Sequence, residues 1–331
     1  MNEKVAATLK SSETEDWLDY HFVRPLSYYW AVLFARLDIH PNTVTLISWI
    51  IGAGSAYFFA FSSFYYDGWH GLLMNIIAIV LLIWADVYDC TDGQLARMTG
   101  KKSQLGRILD GAAGFVWFIP IYLALVYRFY FHHSIEFSLF GIAETEQNVQ
   151  IATCIVLILS FISGFDGIGA QQRLADYYIQ IHLLFQKGKK GSELDTSVQQ
   201  KKLYDETPWK GNFLWKVFLH SYVGYTRKQE KQTPQFQRLM HVLAERYGDT
   251  IPEDIRQELH RRSLAIIPLN GMLTFNFRTG MFIIFCLADI PALYFIFESV
   301  GMRLFTNYIN YRHERFCREI ADRVVASTPV K

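Results

Sequence analysis

Long apolar runs separated by short polar breaks dominate this chain. A helix needs about 20 apolar residues to cross a hydrocarbon core of about 30 Å. Six stretches have that character: 43–66, 71–90, 107–131, 149–171, 264–287 and 290–309. The pattern predicts an all-α, polytopic membrane protein with six transmembrane helices. Before the first run, Trp17, Leu18, Phe22, Val23, Leu26, Tyr29, Trp30, Leu33 and Phe34 recur at three- and four-residue intervals. That is the helical period, and it predicts an amphipathic helix lying on the membrane surface, begun or kinked at Pro25. Asn42 or Thr43 is the expected cap of the first span.

The polar segments divide the rest. Residues 1–42 form an N-terminal stretch with the surface helix, and 43–186 carry the first four spans. Residues 187–262 form a helical cytoplasmic insertion of mixed charge. Residues 263–310 carry the last two spans, and 311–331 are a tail. The insertion holds apolar residues such as Trp209, Phe213 and Trp215, which suits a lid, a collar or an oligomer contact.

Charge placement orients the spans. The connections near Asp67–His70, His132–Gln147 and Asp289–Pro291 lack Lys and Arg, whereas 91–107, 173–262 and the tail are rich in them. By the positive-inside tendency, both termini and the 91–107 loop face the cytoplasm, at a bacterial inner membrane or its equivalent. A formal charge of +1 thus conceals a basic face suited to anionic head groups or phosphorylated substrates. Nothing points to nucleic acid. The cysteines, Cys90, Cys154, Cys286 and Cys317, show no paired spacing, which argues against disulfides or a zinc site.

The chemistry lies where the second and third spans meet the polar loop. Asp86, Asp89, Asp92 and Asp110 cluster there, although charge inside a bilayer is costly. Several carboxylates with few cations nearby suit a hard divalent metal. Asp89 and Asp92, three apart, share a helical face. Gly93 lets a ligand approach the backbone, Ala96 leaves room for a flat ligand, and Arg97 offers a phosphate partner. Gly106 lies four residues before Asp110 on one face, and the short connection makes spans two and three antiparallel neighbours, with their acids facing across one or two cations.

Asp89, Asp92, Gly93, Ala96, Arg97, Gly106 and Asp110 stand in the register D-x2-D-G-x2-A-R-x8-G-x3-D-x3-D. The stretch resembles the signature of the CDP-alcohol phosphatidyltransferases, and His40 to Thr45 resembles that family's approach to its first span. The resemblance implies a pair of divalent ions, Mg2+ or Mn2+, bound by Asp89, Asp92 and Asp110. It implies a CDP-linked lipid donor, such as CDP-diacylglycerol, attacked by an alcohol with release of CMP, and a homodimer in the bilayer. Gly93, Ala96, Arg97 and Gly106 would lie at the nucleotide; Arg107 and Arg173 are further candidates to contact substrate. Basic residues about the cavity favour a polyol phosphate over a cationic alcohol.

One position departs. The last aspartate of the signature, the family's general base, is Gly114 here. The base is dispensable, the chain is a catalytically impaired binder or scaffold, or another carboxylate replaces it. Asp86 lies one turn deeper than Asp89, and position 114 one turn deeper than Asp110, so the two share a depth. On this reading Asp86, with Asp110, serves catalysis; its alternative role is a hydrogen-bonded helper. An ion transporter would also place carboxylates in a membrane, but would not need these glycines and Arg97.

Overall fold

In a computed structural model, residues 13–14, 16–248 and 250–327 are described, leaving aside the side chains of 166–168 and 190. They are helical throughout, with no strand among them. A π-helical turn, Asp19–Val23, leads into α1 (Arg24–Arg36); α2 is Pro41–Ala60, α3 Phe64–Thr99, α4 Gln104–Phe131, α5 Ser134–Phe140 and α6 Glu146–Ile162, followed by a π-helical stretch, Ser163–Gln171. Then come α7 (Gln172–Lys187), α8 (Ser197–Glu206), α9 (Phe213–Gln232), α10 (Pro234–Tyr247), α11 (Glu253–Leu264), α12 (Ile267–Gly271), α13 (Phe275–Leu287), α14 (Pro291–Ile296), a π turn Phe297–Gly301 and α15 (Met302–Ala326).

Four helical stretches are long and apolar enough to cross a membrane: Pro41–Ala60, Phe64–Thr99, Gln104–Phe131 and Glu146–Lys187. These correspond to the first four expected spans. The last two expected spans are not among these four. Of 264–287 the longest helix is α13, 13 residues, while 290–309 runs through α14, the π turn and the start of α15. Pro268 and the turn at Met272–Thr274 interrupt the helical ladder of 264–287, and Pro291 begins α14.

The chain forms two compact units. The first comprises the described residues up to Ala170 together with Phe275–Met302; the second comprises Gln171–Thr274 with the described residues from Arg303 onward.

In the first unit, α2 is the central element, packed along both α3 and α4. Its residues toward those neighbours are small: Ser48, Gly52, Ser55 and Ala56 are all buried. At Gly52 a Cβ would lie 2.3 Å from the Trp117 ring, so only glycine admits the indole of α4. By contrast α3 and α4 do not run packed against each other. The expectation of direct neighbours is therefore revised, because the short loop 100–103 lets both helices lean on α2 instead. Below this layer a large aromatic core includes Phe59, Phe118, Tyr122, Phe282, Tyr294 and Phe295.

The span ends are capped, but not all as expected. His40, not Asn42 or Thr43, caps α2: its Nδ1 accepts from the Asn42 N–H at 3.2 Å, with Pro41 in the first turn. Ser103 caps α4, accepting from Gly106 N at 2.9 Å. Gly68, at φ 56°, kinks α3 near its start, and the stretch from there to Thr99 is about 46 Å long, well beyond a hydrocarbon core, so its C-terminal turns overrun the apolar zone. Gly100, at φ 70°, ends it.

In the second unit, α11 packs on α7 and α9 on α8. Glu314 caps α10, its carboxylate accepting from Gln235 N (2.5 Å) and Phe236 N (3.3 Å).

Candidate active site

The last turns of α3 carry Asp86, Asp89, Asp92, Gly93, Ala96 and Arg97, and α4 carries Gly106, Arg107, Asp110 and Gly114. The fold brings the carboxylates into one electrostatic cluster. Asp89 is repelled by Asp110, Asp92 and Asp86, and Asp92 also feels Asp110. One Asp89 oxygen, Oδ1, is buried and accepts no hydrogen bond from the described residues. A buried carboxylate oxygen without a donor is costly unless something cationic answers it.

Asp92 is buried and held from α2, where the Thr45 hydroxyl donates to its Oδ2. Arg97, exposed at the rim, is the cation acting on Asp92. Its guanidinium passes Gly93, where a Cβ would stand 3.3 Å from Nη1. Gly106 has a packing reason to be small: a Cβ there would come within 2.9 Å of Asn42 Oδ1, which accepts from Ser103 Oγ at 3.3 Å. That contact ties the starts of α2 and α4 together. Gly114 faces open space, with nothing within 4 Å of where its Cβ would be. Arg107 is exposed.

The three oxygens of Asp89, Asp92 and Asp110 are not gathered within 4.8 Å of one another, as a single-ion cage among the described residues would be. In the second unit His313, Glu314 and Cys317 do reach that spacing. There the Glu314 carboxylate is already spent on the α10 N-terminus. Arg173 also belongs to the second unit, where Nη2 donates to Gln232 Oε1 at 3.4 Å and the guanidinium lies 5.8 Å from the Tyr225 ring centroid.

Residues 38–156 match the CDP-alcohol phosphatidyltransferase family. No curated protein and no solved structure matches the chain. The matched segment begins at Asp38 and contains α2, α3, α4 and all but the last turns of α6, so Asp86, Asp89, Asp92 and Asp110 lie inside it. The matched segment lies among apolar helices long enough to cross a membrane.

Sequence reasoning missed the part played by α1, which lies outside the matched segment. Ser27 Oγ donates to Val87 O at 2.9 Å, Thr91 Oγ1 to Ser27 O at 3.4 Å, and Gln94 Nε2 to Arg24 O at 3.2 Å. These bonds follow one face of α3, at 87, 91 and 94. They bring Arg24 and Asp19 beside Asp86, and Arg24 also acts on Asp89. Ser27, buried inside an amphipathic pattern, was the available signal. At the loop, Lys101 Nζ donates to Asp38 Oδ1 at 2.6 Å and holds that exposed carboxyl below its usual range.

Proposed function

We propose that this chain is a membrane-embedded, metal-dependent enzyme of phospholipid synthesis. It transfers the phosphatidyl group of a CDP-linked donor, such as CDP-diacylglycerol, to an alcohol, and CMP leaves. The observation that carries the reading is the α3–α4 acid cluster, with a buried Asp89 oxygen lacking a donor. A donor set made of carboxylates alone fits Mg2+ or Mn2+, and a set spread wider than one cage suits a pair of ions about 3.5–4 Å apart. Asp89, Asp92 and Asp110 would hold those ions. Bound there, divalent cations would neutralise the diphosphate and the charge developing at phosphorus.

The chain's own residues supply the rest. Thr45 fixes Asp92 by hydrogen bond. Gly93 and Ala96 leave room for cytidine, and Arg97 at the rim meets phosphate. The acceptor oxygen forms the new bond to phosphorus as the bond to CMP breaks, and a carboxylate takes the hydroxyl proton. With glycine at 114, that carboxylate is Asp86 or Asp110. Lys102 and Arg107, both exposed, make the loop face basic, which favours a polyol phosphate as acceptor.

Six spans, a cytoplasmic active face and a homodimer complete this reading. The stripe Leu18, Phe22, Leu26, Tyr29, Leu33 and Leu37 is exposed at helical spacing ahead of α2, which supports seating of α1 on the bilayer. The test is CMP release from radiolabelled CDP-diacylglycerol against a panel of alcohols, with and without Mg2+ or Mn2+. Turnover that survives complete chelation would refute it. Gly114 favours one second reading, a family member that binds CDP-lipid without turnover; nucleotide binding with no CMP from any alcohol would support that instead.

A further inference from the structure

The connection between α8 and α9, in the second unit, holds large apolar side chains out to solvent. Helix α8 stops at Glu206, two residues before Pro208, and the chain turns through Gly211, at φ 83°, into α9 at Phe213. Trp209 is 51% exposed, Phe213 64% and Leu214 62%, and Val217, one turn on from Phe213, is exposed as well. Single exposed apolar residues are ordinary, but a contiguous group marks a surface made to be covered.

The group is held in place. Lys216, itself buried, donates from Nζ to Thr207 O at 2.7 Å, which ties the start of α9 to the end of α8. Its ammonium lies 4.6 Å from the Tyr204 ring centroid and 5.2 Å from that of Trp209. The Trp209 and Phe213 rings stand 6.0 Å apart, and Asn212 N donates to Trp209 O at 3.2 Å. One lysine thus braces the turn while the indole and the phenyl ring stay exposed. The charge here is of one sign: Thr207 to Leu219 hold two lysines and no acidic residue. The nearest acids, Asp205 and Glu206, pair with Lys201 and Lys202, whereas Lys210 is exposed and makes no ion pair with the described residues.

We propose that this tip, Trp209 to Val217, docks into the head-group zone of a bilayer that carries anionic lipid. Exposed aromatic rings interleaved with lysine suit that zone, where rings settle at head-group depth and the ammonium meets phosphate. Anionic lipid contributes about 1 kcal/mol for each basic residue near the surface. A second copy is a poorer occupant. At these exposures each ring offers on the order of 100 Å2, so the patch falls short of the about 800 Å2 per partner that a stable protein interface buries. Helices long enough to cross a membrane also tether the tip to a bilayer, so a weak surface attachment suffices. The tip lies outside the segment matched to the family. The proposal rests on the membrane-embedded reading of the chain and not on its chemistry.

Photochemical cross-linking tests it. The full-length protein, with benzoylphenylalanine in place of Phe213 or of Leu214, is reconstituted into phosphatidylcholine vesicles containing about one third phosphatidylglycerol. Irradiation should attach lipid at both positions. The same probe in place of Val198, which is 77% exposed at the other end of α8, should attach at least about threefold less. Lys210→Gln should lower the yield at 213 about threefold, as should vesicles of phosphatidylcholine alone, and Lys210→Arg should preserve it. Cross-links to a second chain in place of lipid, equal yields at 198 and 213, or a yield indifferent to Lys210 and to anionic lipid would overturn the proposal. Carbonate extraction separates the two readings. A chain washed from the membrane loses both, whereas a carbonate-resistant chain without lipid adducts loses the docking alone. Lipid adducts in a protein without turnover would remove only the transfer reading.

Discussion

The Thr45 hydroxyl donates to the Asp92 carboxylate, joining the first span to the second inside the acid cluster. Thr45 also reaches back to Pro41 O at 3.3 Å, so the donor is anchored in the first turn of α2. Hydrogen bonds to charged groups contribute roughly 1.5–3 kcal/mol. Thr45→Val should therefore lower kcat/KM about tenfold or more, by releasing Asp92, while Thr45→Ser should retain most of it. CMP release at saturating Mn2+ is the measurement.

Removing the acids singly should separate ligands from helpers. Asp89→Asn, Asp92→Asn and Asp110→Asn should each reduce Mn2+ affinity and cut turnover at least a hundredfold. Asp86→Asn should leave Mn2+ binding within twofold yet lose turnover. Gly114→Asp placed in the Asp86→Asn background should restore part of it, because a side chain at 114 enters open space. Near-normal turnover in Asp86→Asn would exclude that carboxylate from proton transfer.

Gly52 gives a packing prediction. A Cβ there would penetrate the Trp117 ring, so α2 and α4 must part or the indole must turn. Overpacking of this kind typically costs 1–3 kcal/mol. Gly52→Ala should lower the melting temperature in detergent, and Gly52→Ala with Trp117→Phe should recover part of the loss.

Elsewhere in the first unit a buried charge is fully answered. Arg128 pairs with Asp289 and donates to Ser62 Oγ at 2.7 Å, while Asp289 Oδ2 accepts from Ser63 Oγ at 2.9 Å and Tyr65 N at 2.6 Å. This is structural bookkeeping of charge, unlike the acid cluster. Removing one partner strands the other, which costs about 3–5 kcal/mol. Arg128→Met should melt at markedly lower temperature, and Arg128→Met with Asp289→Leu should regain much of the difference.

The second unit carries a pH dependence with a definite sign. Arg323 and Arg262 donate to Glu258, which lowers its carboxyl below the ordinary 4.5. A depressed folded value means the stabilisation is complete above the unfolded value and lost as pH falls through the folded one. Arg323 is more than half exposed, so the effect should stay below about 1 kcal/mol. The hydrogen-exchange protection factors of residues 253–264, taken relative to the intrinsic rate at each pH, should fall on acidification below about pH 4.5. Glu258→Gln should exchange faster at neutral pH and lose that acid step.

What could be read from sequence follows from range. Apolar runs of span length and the spacing of Asp89, Asp92, Gly93 and Asp110 are local patterns, and they placed the acids on the ends of two adjacent apolar helices. Contacts between distant residues leave no such periodicity. Ser27 to Val87, Thr45 to Asp92 and Arg128 to Asp289 join positions far apart, and nothing local to any of them announces its partner. The order of packing was hidden likewise. A short loop suggested that α3 and α4 touch, whereas the small residues of α2 made it the better surface for both. His40 displaced Asn42 as a cap because the Asn42 side chain is engaged with Ser103.

The central place of α2 gives the site an unusual dependence. Thr45 meets one acid-bearing helix and Gly52, two turns on, receives the other. Inserting one residue between them would swing the Gly52 side round by about 100°, so the two partners could no longer keep their seats together. The spacing of the carboxylates is thus dictated by a helix that contributes no acid of its own, and its register sets the gauge of the gap between them.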